Sequence, residues 1–223
     1  MKRTKLSART LPRYSRGEEM MNMITHIAGG GFAVMAWTLC LIRAVCRGTV
    51  FSICSAAIYG FCMVLVYTIS SIYHGLRTNT SKKVLQVLDH CAIYWLITGT
   101  YTPILVCSMV SVYPAIGWGL LAVQWGLAAV ATTLTAIDMT KYRIFSKICY
   151  IGMGWGIAPF LPQALEVLGS VGFGFLLAGG ISYTVGAVLF GLGSKIKWMH
   201  SIFHIFVVLG SILQWICVYF YVL

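Results

Sequence analysis

The chain has 223 residues, 59% hydrophobic and only 9% charged, with a formal net charge of +11 at pH 7. Soluble globular domains carry about a quarter charged residues, so a water-soluble enzyme or binding module is excluded and a membrane protein is indicated.

Residues 1–17 carry Lys2, Arg3, Lys5, Arg9, Arg13 and Arg16 but lack the apolar core and small-residue cleavage site of a signal peptide. They are expected to form a basic cytoplasmic tail that acts as a topology signal, with no nucleic-acid partner. Ser15 followed by Glu18 reads as a capping box that starts a helix. Beyond it, seven apolar stretches lie near 24–42, 50–73, 84–108, 112–136, 148–168, 170–192 and 198–222. Each is about the length an α-helix needs to cross ~30 Å of hydrocarbon. The expected fold is all-α: one seven-transmembrane helix bundle over residues 18–223, multi-pass in the cell (plasma or inner) membrane.

Within these stretches Pro103 is expected to bend the third, and Pro159 and Pro162 to kink the fifth. Glycines at 29–31, 152, 154, 156, 172, 174, 179 and 180 are expected to permit close helix approach. Thr and Tyr of "TGTYTP" at 98–103 are expected mainly to re-satisfy freed backbone groups. The eight cysteines include no CxxC pair, so a disulfide frame or thiolate zinc site is not expected.

Seven crossings put the termini on opposite sides. Fourteen of the Lys and Arg residues, in the tail and in the connections holding Arg77, Lys141 and Lys195, fall on one side, against Arg43 and Arg47 on the other. The positive-inside rule then makes the N-terminus cytoplasmic and the C-terminus external.

With that orientation His26, His74, His90, His200 and His204 all fall at cytoplasmic ends of spans. His200 and His204 in "WMHSIFHIF" are one helical turn apart and share a face. Span 2 ends "YTISSIYHGL", which places His74 at the same depth and Ser70 one turn before it. Three imidazoles are the ligand set of a catalytic zinc site that keeps its fourth position for water. Asp89, from "VLQVLDHCAIYW", reaches this level, and a carboxylate there is costly unless it finds a hydrogen-bond partner such as that water. His90 lies about 100° round the helix from Asp89 and is read as a supporting group. Glu18, Asn22, Thr25 and His26 make a polar stripe leading into span 1.

The motifs "EEMMNMITH", "SSIYH", "LDHCAIYWLITGTYTP", "YIGMGW", "GGISYTVGAVLF" and "HSIFHIFVVLGS", in that order, resemble the haemolysin III proteins, bacterial members of the progestin and adipoQ receptor superfamily. The resemblance runs from about Glu18 to the C-terminus. It implies a seven-helix membrane protein with one zinc ion on His74, His200 and His204, and with Asp89 and Ser70 beside its water. Members often carry another His further along the last helix, where this chain has Gln214. The family name comes from red-cell lysis, and relatives are linked to membrane-lipid homeostasis and ceramidase-like amide hydrolysis.

The leading expectation is therefore a zinc-dependent hydrolase of a lipid amide or ester, or a lipid sensor derived from one, with membrane lipids as partners. Asp89 would take the water's proton and Ser70 would hydrogen-bond the water or the developing oxyanion. The alternatives are a pore-forming cytolysin and a heptahelical receptor without turnover. A retinal pump is excluded because span 7 has no interior Lys. An ion transporter is disfavoured because Asp138 and Glu166 fall at span ends.

Overall fold

A computed structural model describes residue 4, residues 6–193 and residues 195–223. Lys2, Arg3 and Lys5 of the basic segment lie outside the described residues. Among those residues all regular structure is helical, and six helices are long and apolar enough to cross a membrane.

The first helix, α1 (Arg16–Arg47), starts at a complete capping box: Ser15 accepts from the Glu18 backbone N–H and the Glu18 carboxylate accepts from the Ser15 N–H. Helical structure therefore extends about two turns ahead of the apolar stretch near 24–42. His26, expected at the start of a span, sits well inside α1. The next two helices, α2 (Val50–Gly75) and α3 (Thr80–Pro103), begin at Thr49 and Asn79, whose side chains accept from backbone N–H groups three residues on. Such caps satisfy donors that have no intrahelical partner.

At Pro103, α3 passes into a π-helix over Ile104–Met109. Proline removes an N–H and crowds the carbonyl four residues back, and the wider turn accommodates that loss. Thr100 and Thr102 donate to the Leu96 and Thr98 carbonyls, as expected for backbone re-satisfaction. Tyr101 instead reaches across the bundle: its hydroxyl donates to the Gly154 carbonyl and accepts from the Ile157 N–H. Those two residues flank the break between α5 (Arg143–Gly154) and a 3-10 turn at Ala158–Phe160. One phenol thus serves the frayed backbone at a second proline-containing break.

The remaining helices are α4 (Pro114–Asp138), α6 (Leu161–Leu192) and α7 (Met199–Cys217), the last continuing as a π-helix over Val218–Val222. Gly169 interrupts α6 with φ 68° and ψ 168°, a conformation open essentially to glycine. On one side of it Glu166 meets Tyr113, the residue before α4. On the other, Gly172 packs on Tyr221, Gly179 on Gln214, and Gly193 on His200, so 172–193 runs antiparallel to α7. Tyr67 and Tyr183 share the Ser211 hydroxyl at 2.7 and 2.8 Å, tying α2, α6 and α7 together deep in the bundle. All eight cysteines are free.

Not every glycine marks a close approach. Cβ atoms at Gly31, Gly152, Gly154, Gly174 and Gly180 would meet nothing within 4 Å, whereas one at Gly60 would lie 1.9 Å from the Trp37 ring and 2.5 Å from its Cβ. Because the clash includes the base of the indole, the α1–α2 seam itself must open. Gly60→Ala should cost about 1–3 kcal/mol by overpacking, while Gly31→Ala should be neutral or gain up to about 1 kcal/mol of helix propensity. Thermal unfolding of the two variants in detergent checks both.

Candidate metal centre

Two helices bring the three histidines together. His74 closes α2, while His200 and His204 occupy the first turns of α7. Trp198 sets the direction of α7: it is a non-glycine residue at φ 66°, and its N–H donates to the Glu18 carboxylate at 2.8 Å. A left-handed L-residue costs roughly 1–2 kcal/mol, and this bond from α1 helps hold it there.

All three rings are buried, and one nitrogen of each lies within 4.8 Å of the others. The Nε2 atoms of His200 and His204 are 3.1 Å apart. Two nitrogens on one tetrahedral zinc stand roughly 3.3 Å apart for Zn–N of about 2.0–2.1 Å. Buried polar atoms are nearly always hydrogen-bonded, yet His74 Nε2, His200 Nδ1 and His204 Nδ1 have no partner in the protein. A buried, all-nitrogen set in which His74 Nε2 has no partner and the His200 and His204 Nε2 atoms meet only each other fits a divalent metal such as zinc.

Around this trio the expected supporting residues fall into two groups. His26 packs its ring 3.8 Å from that of His204 and stands edge-on to Tyr67, outside the group that converges. Asn22 is buried; its oxygen accepts from Ser201 at 2.6 Å and its amide approaches His74 Nδ1 at 3.4 Å. Thr25 of the same stripe turns back to its own helix, donating to the Met21 and Asn22 carbonyls. Glu18 serves the two helix starts already described.

Ser70, Asp89 and His90 line one cavity together with His200 and His204. Ser70 is 1% exposed and its hydroxyl has no partner. His90 Nδ1 donates to the Gln86 carbonyl at 2.8 Å. Asp89 and His90 therefore face the same space despite their angular separation, because the cavity is broad enough to span that arc of α3. From the histidines the cavity continues past Val66, Ile97, Leu176 and Tyr183 to Phe173 and Gln214. Fourteen residues of α7 separate His200 from Gln214, a rise of about 21 Å. The walls are apolar for most of that length and polar at the histidine end.

Three neighbours of the trio were not legible as site residues. Glu19 places its carboxylate 2.7 Å from His74 Nδ1 and 2.7 Å from Lys82 Nζ. Its spacing of three and seven residues to Asn22 and His26 puts it on the same polar stripe, and that periodicity was the available signal. Lys82 carries no such mark; by composition it is one more topology lysine. Tyr14, from the basic segment, stacks on His200 at 4.8 Å and 15°, so this segment covers the end of the site. Burial first, then the carboxylates of Glu19, Asp89 and Glu18, push the Tyr14 phenol above its ordinary value, which keeps it neutral over the rings.

A sequence model described as Haemolysin-III related matches residues 14–215. The chain is 39% identical over 206 residues to Hemolysin-3 of Bacillus cereus, covering 92% of each protein. It is 34% identical over 204 residues to the Hemolysin-3 homolog of Bacillus subtilis (strain 168), covering 92% of this chain and 94% of the relative. The matched segment begins at Tyr14, and it includes all five histidines, Glu19, Lys82 and Asp89.

A cation that binds only the folded chain should stabilise it, by about 2.7 kcal/mol at one hundred times its dissociation constant. Zinc added to chelator-treated protein should raise the unfolding midpoint, and His74→Ala, His200→Ala and His204→Ala should each abolish the rise. Tyr14→Ala should retain the rise while letting a water-soluble chelator remove the metal faster.

Proposed function

We propose that this chain, which belongs to the haemolysin III-related family, is a zinc-dependent lipid hydrolase of the cell membrane, or a lipid sensor derived from one. The observation that carries this reading is the convergence of His74 with His200 and His204, the latter two lining the polar end of a long apolar cavity. His74, His200 and His204 would hold the zinc. When bound, zinc supplies Lewis acidity that makes water acidic near neutral pH and polarises a carbonyl.

The rest of the chemistry belongs to the protein. The apolar walls bind an acyl chain and exclude bulk water, and the length of the cavity sets the amide or ester carbonyl against the polar end. Asp89, on the cavity wall, accepts the proton of the attacking water as general base. Ser70, buried and unpartnered, donates its hydroxyl to the oxygen that gains charge. Tyr14 and the segment before α1 close the end nearest the histidines, so the hydrocarbon enters from the bilayer side.

The same reading includes seven crossings with a cytoplasmic N-terminus. Gly169 supports it, since Glu166 and Gly172 pack on residues at one end of the bundle while Gly193 packs on His200 at the other. The chain from Arg143 to Leu192 would then cross twice. The fourteen-to-two partition of Lys and Arg supports the orientation. Reporter fusions after Leu192 and after Leu223 should report opposite sides.

Elemental analysis of protein purified without chelator is the decisive measurement. About one zinc per chain in the wild type, lost in His200→Ala, is expected, with fatty-acid release from N-acyl or ester lipids in nanodiscs falling by roughly 10²–10⁴ in Asp89→Asn. Zinc binding without turnover points to the sensor, and metal-free wild type defeats the whole reading. Dye release from liposomes that survives His200→Ala/His204→Ala would assign a lytic role to the bundle instead.

A further inference from the structure

The Glu19–Lys82 pair sits at the junction of three helix ends, with Lys82 buried and Glu19 partly exposed, and is unused by the chemistry above. Lys82 is 3% exposed; its Nζ donates to Glu19 Oε1 at 2.7 Å and to the Leu76 carbonyl at 2.9 Å, and lies 5.2 Å from the Tyr73 ring centroid. Glu19 Oε2 meets His74 Nδ1 at 2.7 Å, and the His74 side chain is fully buried with Nε2 unpartnered. Desolvating the Lys82 charge is expensive, and an ion pair withdrawn from water is weak evidence for stability alone. Something else accounts for its position.

The proton inventory supplies the reason. A carboxylate held by a lysine on one oxygen only accepts on the other, so at 2.7 Å His74 Nδ1 donates to Glu19, and this short contact prevails over the Asn22 amide nitrogen at 3.4 Å. A neutral imidazole with hydrogen on Nδ1 carries its lone pair on Nε2. That nitrogen is the one left without a protein partner beside His200 and His204. Carboxylate–imidazole–metal chains of this kind fix the ring and raise ligand basicity.

We infer that Glu19 is the positioning residue for His74, selecting the tautomer whose Nε2 lone pair is free for a cation, and that Lys82 aims Glu19 by occupying its second oxygen. The inference deepens the zinc reading and rests on it for the identity of the ligand. It concerns atoms of this chain, however, and has a consequence in the metal-free protein.

Glu19→Gln separates aiming from simple stapling. The amide has one acceptor oxygen, and the Lys82 cation claims it, leaving the NH2 group facing His74 Nδ1. His74 must then accept at Nδ1 and carry its hydrogen on Nε2, the nitrogen needed by the metal. Replacing the lysine as well, in Glu19→Gln/Lys82→Met, frees the amide oxygen to turn and accept from Nδ1–H again.

The test combines imidazole ¹⁵N spectra of metal-free protein in nanodiscs, the His74 signals being assigned by their loss in His74→Gln, with zinc affinity by chelator competition. The wild type should show Nδ1–H at His74. Glu19→Gln should move the hydrogen to Nε2 and weaken zinc roughly 10–100-fold, and Glu19→Gln/Lys82→Met should restore both. A staple without aiming predicts the reverse: a lower unfolding midpoint in Glu19→Gln with tautomer and affinity unchanged, and no recovery in the double variant. That result overturns the inference. Should Glu19→Gln not fold, Glu19→Ala/Lys82→Met, which lacks any acceptor, is compared with Glu19→Gln/Lys82→Met on the same two readouts. Wild type that binds no zinc defeats the function proposed above, while the spectra still decide the role of Glu19.

Discussion

Three imidazoles are buried in an apolar bundle with nitrogens that no protein group satisfies, and much of the surrounding structure accommodates that fact. Leaving such groups unpaired in a low-dielectric interior is costly, so their convergence requires support from elsewhere in the fold. The support is local and specific. Glu19 holds the His74 ring, Trp198 adopts a left-handed backbone to launch the helix bearing His200 and His204, and Tyr14 covers His200.

Among the charged residues gathered at this end, four join more than one element, Glu19 bridging His74 and Lys82. Glu18 caps α1 and receives the Trp198 N–H; Asp138 accepts from the Thr4, Thr140 and Lys141 backbone N–H groups; Lys82 joins the start of α3 to the end of α2 and the start of α1. In a chain with five acidic residues, Glu18, Glu19 and Asp138 are all committed to junctions that tie the histidine end together. Above it the bundle relies on other devices: hydroxyl bonds such as Tyr67–Ser211, close glycine contacts, and helices broken at Pro103 and before Pro159. Those breaks sit beside the cavity, where non-regular backbone can be satisfied by Tyr101 rather than exposed to lipid.

The cavity and the trio are physically coupled through α7. Its first turns carry the histidines, and its later turns, at Val207 and Gln214, form the apolar wall. One helix therefore fixes the distance between the polar end and the far end of the cavity.

Features that depend on composition and period were legible in the chain before it folded. The apolar stretches lie where helices form, the Ser15–Glu18 capping box is present, and the four-residue spacing of His200 and His204 places both on one face, because helix geometry is local and repeats every 3.6 residues. That His74 would join them followed from depth, which a membrane imposes on any crossing helix. The remainder came from packing between distant segments. Glu19 reaches His74 across 55 residues and Lys82 across 63; the Tyr14 cover and the shared facing of Asp89 and His90 likewise depend on how helices rotate and approach. Such contacts between distant positions leave no periodic trace in the chain, so a buried lysine that aims a carboxylate reads, in one dimension, like any other charge at a membrane edge.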